Sequence, residues 1–343
     1  MFKADQKIVL VTRQTRLQGL KAKYATLGQA RFSVERAMEK ELAREAEVLG
    51  EVVAAGALHA AAAEEFREYE EEHELYDDAV NRLRRELGDF GPKVQVIERG
   101  FLPNFVFGPN DVVVTVGPDG LVANTAKYAL HQPIIGTNPD PRRIDGVLLP
   151  FSLDATRHAV RQVLEGRAKF RMVTLAEAIL PAGQRMLAFN DLFIGTRSHV
   201  SARYRIKFDL RSEPQSSSGV LVSTGAGSTG WLSSVFNMAA GLTGLAANGQ
   251  RGRASRGVGA LKLAWEDPRL AFVVREPFVS KHSGASIVSG LIEPRQELVI
   301  ESLMPGGGVI FSDGIESDFL PFHSGDVARI RAAGVRAKLL VPG

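Results

Sequence analysis

The turn Gly117-Pro118-Asp119-Gly120 is the strongest candidate for chemistry in this sequence of 343 residues. It follows the apolar run 111–116, which is typical of a buried parallel strand, and precedes a helix predicted over 121–130. Backbone N–H groups and the helix dipole converge at such a turn, so Gly117 and Gly120 are candidate nucleotide-binding residues. Phosphate would repel Asp119 unless this residue acts on a hydroxyl proton or binds Mg²⁺. The alternative is an ordinary Pro-Asp-Gly turn.

Two further segments carry residue types that suit a sugar or phosphate site. Asn190-Asp191 precedes the apolar run 192–194. A turn rich in glycine and hydroxyl groups follows the strand-like run 219–222 and holds the candidates Thr224, Ser228, Thr229, Gly230 and Trp231. Three cations in predicted loops are candidate phosphate contacts, with solvated loop positions as the alternative: Arg142, Arg143 and Lys281.

The elements that position these segments follow from the apolar runs. Strand-like runs at 7–12, 93–98, 111–116 and 133–136 alternate with helical stretches, which predicts a Rossmann-like three-layer α/β domain over residues 1–150. After a helix predicted at 153–165, alternating runs predict a β-rich, antiparallel, sandwich-like domain over residues 151–343. A glycine-rich segment at 241–259, with Arg251, Arg253 and Arg256, is predicted to be a mobile basic loop.

An acidic helical insert is predicted at about residues 33–90 of the α/β domain. Its apolar side chains recur at alternating spacings of three and four and form one seam: Phe66, Tyr69, His73, Tyr76, Val80, Leu83 and Leu87. The seam fits a helix packed on its own sheet, and alternatively a homodimer contact, so we predict a homodimer. His73 belongs to this seam and is interpreted as a packed histidine.

The composition excludes several classes of site. The chain has no cysteine, so it has no disulfide, thiolate metal site or cysteine nucleophile, and we assign no metal ligands. Its basic body suits a ligand with several phosphates, while 7% aromatic residues and no nucleic-acid motif predict no nucleic-acid partner. No apolar run reaches the length of about 18 residues that a membrane span needs, and residues 1–5 lead directly into a strand. We therefore expect a cytoplasmic protein without membrane contact.

The order of the three candidate segments resembles the NAD kinase family, most of all its mitochondrial type, within a superfamily that includes diacylglycerol and sphingosine kinases. That family has a Gly-Gly-Asp-Gly-Thr motif, then an Asn-Glu or Asn-Asp pair, then a Thr-x-x-Gly-Ser-Thr-Ala-Tyr turn. The corresponding segments here are 117–121, 190–191 and 224–231. Further similarity lies at 136–141, 275–278 and 311–314, where Asp313-Gly314 also has the composition of a tight hairpin turn.

The resemblance implies transfer of the terminal phosphate of ATP, with Mg²⁺, to the adenosine-ribose 2′-hydroxyl of NAD, which gives NADP. It also implies roles for the candidates: Asp119 as base, Asn190 and Asp191 at the ribose, and Thr229, Gly230 and Trp231 at the adenine with Ser228 close by.

Pro118, Leu121 and Trp231 stand where the family has glycine, threonine and tyrosine. These departures keep two alternatives open. One is a dinucleotide-binding sensor that has lost catalysis, and the other is a kinase of another nucleotide or sugar hydroxyl. The sequence does not separate NAD from NADH as acceptor, nor ATP from polyphosphate as donor.

Overall fold

The structure is a computed structural model that describes residues 5–49, 54–248 and 261–342. These ranges contain six α-helices: α1 (Arg16–Lys23), α2 (Leu27–Leu49), α3 (Ala55–Gly88), α4 (Asp119–Ala126), α5 (Leu153–Leu164) and α6 (Trp231–Asn248). They also contain seventeen strands: β1 (Lys7–Thr12), β2 (Lys93–Glu98), β3 (Val112–Val116), β4 (Pro133–Asn138), β5 (Phe151–Ser152), β6 (Phe170–Ile179), β7 (Arg185–Ala188), β8 (Asp191–Thr196), β9 (Ala202–Phe208), β10 (Arg211–Ser217), β11 (Val220–Ser223), β12 (Leu270–Val274), β13 (Ser289–Ile292), β14 (Leu298–Ser302), β15 (Gly308–Ser312), β16 (Phe319–Pro321) and β17 (Val327–Leu340).

The first half of the chain forms a parallel sheet in the order β2-β1-β3-β4. Strands β1, β3 and β4 are buried on both faces because helices cover both faces, whereas the edge strand β2 is partly exposed. Ile8 and Leu10 of β1 pack with α3 and α5 on one face, whereas Val9 and Val11 pack with α4 on the other. The predicted Rossmann-like three-layer arrangement is confirmed.

The second half forms a sandwich of two sheets. Strand β17 runs antiparallel to β14 and β6, and its last residues then pair in parallel with β4, so one sheet continues from the parallel part into the sandwich. The other sheet has the order β13-β12-β11-β8-β15-β16. Apolar residues of both sheets, such as Ile206 and Ile300 against Ile194 and Ile310, meet in one buried core. The predicted β-rich, sandwich-like half is therefore confirmed.

Two elements that follow residue 150 pack against the part of the chain that precedes it. Helix α5 buries Ala159 and Val160 against the parallel sheet, and Leu340 of β17 joins the same cluster. The apolar face of α5 lies toward β3 and β4 because its buried positions are spaced for one helical face. The division into 1–150 and 151–343 stays a prediction.

The helical insert consists of α2 and α3, and its seam packs within the chain. Tyr76, Leu83 and Leu87 are buried in the cluster that covers the parallel sheet, and Phe66 is also buried. His73 exchanges a hydrogen bond with the Thr15 hydroxyl at 3.1 Å, as a packed histidine does. The seam is therefore not available as a dimer contact, and the interpretation of the seam as a homodimer contact is wrong. The homodimer stays a prediction.

The predicted mobile loop at 241–259 is partly wrong. Its first eight residues, 241–248, belong to α6, because the Ala- and Leu-rich sequence after Trp231 sustains a helix through its glycines. Residues 249–260, with Arg251, Arg253 and Arg256, lie outside the described residues. Within the described ranges, no helix is long and apolar enough to cross a membrane.

Candidate functional site

The crevice between β1 and β3 is where the parallel sheet offers a ligand site. The helices after β1 cover one face of the sheet, and α4 after β3 covers the opposite face. In open α/β sheets, ligands bind at the carboxyl ends of strands where this switch occurs. Gly117 lies there with a positive φ of 153°, which favours glycine, and the aliphatic part of the Arg13 side chain lies against it.

Helix α4 starts inside the Gly117 turn. Pro118 is its N-cap with a φ of −72°, a value that proline adopts without strain. The N–H groups of Asp119 and Gly120 have no intrahelical acceptor, since they belong to the first turn. Leu121 is buried beneath the turn in the apolar cluster of α4. The turn therefore keeps its N–H donors for an anion despite the proline.

The Asp119 carboxylate holds the loop that follows β4. Its two oxygens accept the N–H of Leu148 at 2.7 Å and the N–H of Val147 at 3.1 Å. Gly136 of β4 lies directly under this loop, where a Cβ atom would overlap the Leu148 carbonyl oxygen. Each carboxylate oxygen has two lone pairs, so each keeps one for a further proton or hydroxyl group. Asp119 is at once a loop anchor and an available acceptor.

Three cations are predicted to contact phosphate, and the structure places them on two different loops. Arg143 pairs with Glu71 of α3 at 3.1 Å and with Asp140 at 3.5 Å. Arg142 is exposed on the same turn, and Lys281 is exposed between β12 and β13. None of the three is thereby placed at a phosphate, and their roles stay predictions.

The Asn190-Asp191 segment is fixed by a buried carboxylate, that of Asp313. This carboxylate accepts the backbone N–H groups of Phe189 at 3.1 Å, Asn190 at 2.6 Å and Asp191 at 3.3 Å. Asp313 and Gly314 both have positive φ and form the predicted hairpin turn between β15 and β16. The residue that sequence reasoning assigned to a hairpin alone thus also shapes the candidate ribose site.

Lys127 lies against this carboxylate from the other half of the chain. It directly follows α4, its Nζ is 3.9 Å from Asp313 Oδ2, and it donates a hydrogen bond to Ser312 Oγ at 2.8 Å. Both side chains of the ion pair are 2% exposed. Sequence reasoning missed Lys127, because nothing local to residue 127 indicates a partner 186 positions later.

Asp191 is the buried acid of the site. Burial, with the nearby Asp313 charge as the second cause, raises the pKa of Asp191 from 3.8 to about 7. Burial also lowers the pKa of Lys127, an effect that the Asp313 charge opposes. A carboxyl group that titrates near neutral pH is typical of functional sites.

This pKa predicts a pH dependence of stability. The folded state keeps the Asp191 proton up to a pH of about 7, whereas the unfolded state loses it near 3.8, so the unfolding free energy falls as pH rises between these values. The full difference corresponds to about 4 kcal/mol. We expect Asp191→Asn to stabilise the protein at pH 8 but hardly at pH 4, as measured by urea unfolding. The exposed Asp145→Asn is the control, and an Asp191→Asn effect that is equal at both pH values would contradict the assignment.

The structure joins the Thr224 turn to the Asn190 segment. Thr224 donates its N–H to the Asn190 carbonyl at 2.9 Å and its hydroxyl to the Phe189 carbonyl at 2.6 Å. A Cβ atom on Gly227 would overlap the same Asn190 carbonyl oxygen. Ser228 donates to the Gly225 carbonyl at 2.8 Å. The hydroxyl groups of Thr224 and Ser228 are buried and hold the turn together, and their contact with a nucleotide stays a prediction.

The end of the Thr224 turn presents an aromatic surface. Thr229 and Gly230 are exposed, and the Trp231 ring stacks on Phe193 with 5.8 Å between centroids and 13° between planes. The Arg275 guanidinium lies 5.2 Å from the Trp231 ring centre. Trp231, Phe193, Arg275 and Phe311 line a cavity of about 420 Å³, whereas Thr229 and Gly230 are not part of its lining. Phe193 was missed because it reads as one more apolar residue of β8.

Similarity to known proteins agrees with this geometry. No family model matches the chain. It is 30% identical over 127 residues to the NAD kinase of Chlorobium phaeobacteroides (strain BS1), which covers 35% of this chain and 43% of that protein. It is 27% identical over 216 residues to the mitochondrial NAD kinase 2 of Rattus norvegicus, which covers 50% of this chain and 51% of that protein. The chain resembles the NAD kinases.

The chain spans about half the length of these curated relatives. Its fold also matches a solved structure, yeast NADH kinase in complex with NADH, with a TM-score of 0.52 and 16% identity over 78% of this chain and 79% of that one. Of the three candidate segments, two are joined by hydrogen bonds and the third starts the helix that leads to Lys127. Helix α4 is about 12 Å long, so the Asp119 turn and the buried Lys127–Asp313 pair lie at its two ends.

Proposed function

We propose that the protein transfers the terminal phosphate of ATP to the adenosine-ribose 2′-hydroxyl of NAD, giving NADP. The observation that carries the proposal is the joining of Asn190-Asp191 to the Thr224 turn, with Asp119 at the other end of α4. Two acids near opposite ends of one helix suit an extended dinucleotide better than a compact sugar. The resemblance to NAD kinases supports the same substrate class.

In this proposal Asp119 is the general base. The 2′-hydroxyl oxygen forms a bond to the terminal phosphorus of ATP, the bond from that phosphorus to the ADP oxygen breaks, and the hydroxyl proton passes to the free lone pair of an Asp119 oxygen. The N–H groups of the Gly117–Gly120 turn bind the phosphate chain through the positive end of the α4 dipole. Arg142, Arg143 and Lys281 are proposed to lie near the phosphates of the two nucleotides.

In this proposal Asn190 and Asp191 contact a ribose of NAD. An ionised Asp191 accepts hydrogen bonds from ribose hydroxyl groups, and the Asn190 amide adds a donor and an acceptor. The adenine ring lies beside Thr229, Gly230 and Trp231, where the indole offers a face for stacking.

Magnesium fits this site as a companion of the ATP phosphates. In the described part of the chain, no group of three or more His, Asp or Glu side chains is arranged to hold a metal ion. Mg²⁺ is commonly bound by one or two carboxylates together with substrate phosphates, and Asp119 offers one such carboxylate. When bound, the ion would neutralise phosphate charge.

A second candidate function is a dinucleotide sensor without catalysis. The observation that favours it is the engagement of both Asp119 oxygens with the N–H groups of Val147 and Leu148. An aspartate retained only as a loop anchor would keep this geometry while NAD still bound beside Asp191. A kinase that phosphorylates another nucleotide or sugar hydroxyl is the remaining alternative.

One assay separates these functions. The purified protein is incubated with ATP, Mg²⁺ and NAD, and NADP is measured with an NADP-specific dehydrogenase. We expect NADP in amounts that grow with time and enzyme. NAD that raises the melting temperature without any NADP formation would support the sensor. Absence of both effects would direct the search to another acceptor.

Trp231 provides a direct test of the adenine position. The chain has two tryptophans, so Trp265→Phe leaves Trp231 as the only indole fluorophore. We expect NAD to quench this fluorescence, and Trp231→Ala to weaken NAD binding by about fivefold, since a stacking contact contributes about 1 kcal/mol. Trp265→Phe alone serves as the control and should bind NAD normally. An NAD affinity unchanged in Trp231→Ala would remove Trp231 from the site.

A further inference from the structure

We infer that Lys127 and Asp313 are positioning residues of the acceptor site: together they fix the backbone of Asn190-Asp191 and set the charge that Asp191 experiences. We name this pair the clasp. The inference rests on the proposed function, because it assigns the clasp to the NAD-binding segment. It does not require that the protein be a catalyst.

The first support is geometric. The Asp313 carboxylate accepts three consecutive backbone N–H groups, those of Phe189, Asn190 and Asp191. Three donors aimed at one carboxylate leave this short segment little freedom, and Thr224 holds its carbonyl groups from the opposite side. The side chains of Asn190 and Asp191 therefore start from a fixed backbone.

The second support is the isolation of the pair. Both clasp side chains are almost fully buried, and Lys127 reaches Asp313 from α4 in the other half of the chain. Burial of an ion pair is costly unless further hydrogen bonds satisfy it, and here Ser312 and the three N–H groups do so. Burial raises the pKa of Asp313, whereas the Lys127 charge and the three N–H donors lower it. Because the carboxylate accepts all three N–H groups and faces the Lys127 ammonium, we infer that Asp313 and Lys127 are both charged.

The third support is the electrostatic path to Asp191. Burial and the Asp313 charge raise the pKa of Asp191. The other charged or titratable groups around the clasp are Asp318, Tyr128 and Arg99: Asp318 and Arg99 act on Lys127, and Tyr128 donates a hydrogen bond to Asp318. Removal of one clasp charge therefore changes the field at Asp191 in a known direction, whereas a purely mechanical support would not.

The test compares two single substitutions with opposite signs. Asp313→Asn removes a negative charge, so Asp191 should ionise at a lower pH, whereas Lys127→Met leaves Asp313 without its counter-charge, so Asp191 should ionise at a higher pH. We expect each midpoint to move by about one pH unit. The readout is the ¹³C shift of the aspartate carboxyl groups between pH 4 and pH 10, with Asp191→Asn identifying the resonance. Lys93→Met, at an exposed lysine of β2, should leave the midpoint unchanged.

The same variants are then titrated with NAD between pH 5 and pH 9. Since ionised Asp191 accepts ribose hydroxyl groups, the pH at which NAD affinity rises should move in the same two directions. If Lys127→Met does not fold, the double variant with Asp313→Asn removes both charges, and its midpoint should lie above that of Asp313→Asn.

Midpoints that move in the same direction in the two single variants, or do not move, would overturn the clasp. A wild-type protein that binds no NAD, with carboxyl midpoints that still move oppositely, would overturn the proposed function and leave the electrostatic clasp in place. If the Asp191 midpoints move in opposite directions but the pH dependence of NAD affinity stays that of the wild type, the clasp has no role in NAD binding.

Discussion

Asp119→Asn is expected to lower the turnover number for NADP formation about a thousandfold, which is within the range for loss of a general base. The amide is too weak a base to accept the 2′-hydroxyl proton. It also presents an NH₂ group to one of the two N–H donors, Val147 and Leu148, that the carboxylate now satisfies. We therefore expect a loss of unfolding free energy of about 1 to 2 kcal/mol as well.

The control for this substitution is Asp154→Asn. Asp154 also lies in the first turn of a helix, α5, and is exposed. It should leave NADP formation unchanged. NAD affinity, measured by Trp231 fluorescence, distinguishes the two roles of Asp119. Loss of the base alone lowers the turnover number and leaves NAD affinity nearly intact. Displacement of the loop at Val147 and Leu148 lowers both the turnover number and the NAD affinity. NADP formation by Asp119→Asn at the wild-type rate would refute the assignment of Asp119 as base.

Gly227→Ala is expected to destabilise the protein by about 3 kcal/mol, because forced overpacking has costs of this size. A Cβ atom at this position would overlap the carbonyl group of Asn190, which is backbone and cannot move aside as a flexible side chain would. The Thr224 turn and the Asn190 segment must then separate. We expect NAD affinity to fall together with the melting temperature.

Gly241→Ala is the matched control. Gly241 is an exposed helical glycine of α6, and a Cβ atom there meets open space. Alanine should stabilise this helix position by about 0.5 to 1 kcal/mol. If both substitutions give the same small effect, the close approach between the two segments does not exist in solution.

The sequence predicted the framework of the site because that framework rests on local patterns. The β-branched runs of β1 and β3 and the glycine turn after β3 can each be recognised within about ten residues of sequence. Two of the three candidate segments, at Asn190 and Thr224, are in direct contact.

The buried electrostatics of the site could not be predicted in the same way. Lys127 reads as a polar residue after a short helix, and Asp313 reads as half of an Asp-Gly turn, which it also is. The role of these two residues depends on the ion pair between them, which joins two halves of the chain. A local sequence pattern contains no information on such a distant contact. The helical seam was open to two interpretations for a related reason, since an apolar stripe does not state whether its own sheet or another molecule covers it. The leading interpretation, a helix packed on its own sheet, is the one that the burial of Tyr76, Leu83 and Leu87 supports.

Strand β17 has a consequence for the order in which the molecule is built. Its residues Lys338 and Leu339 pair with Pro133 and Ile134 of β4, although about 200 positions separate them. Strand β5 covers Thr137 and Asn138 of β4 early in synthesis, but the β4 edge at Pro133 and Ile134 stays open until every other described strand has emerged. Open edges recruit foreign strands, so this is the interval in which the nascent protein depends most on chaperones.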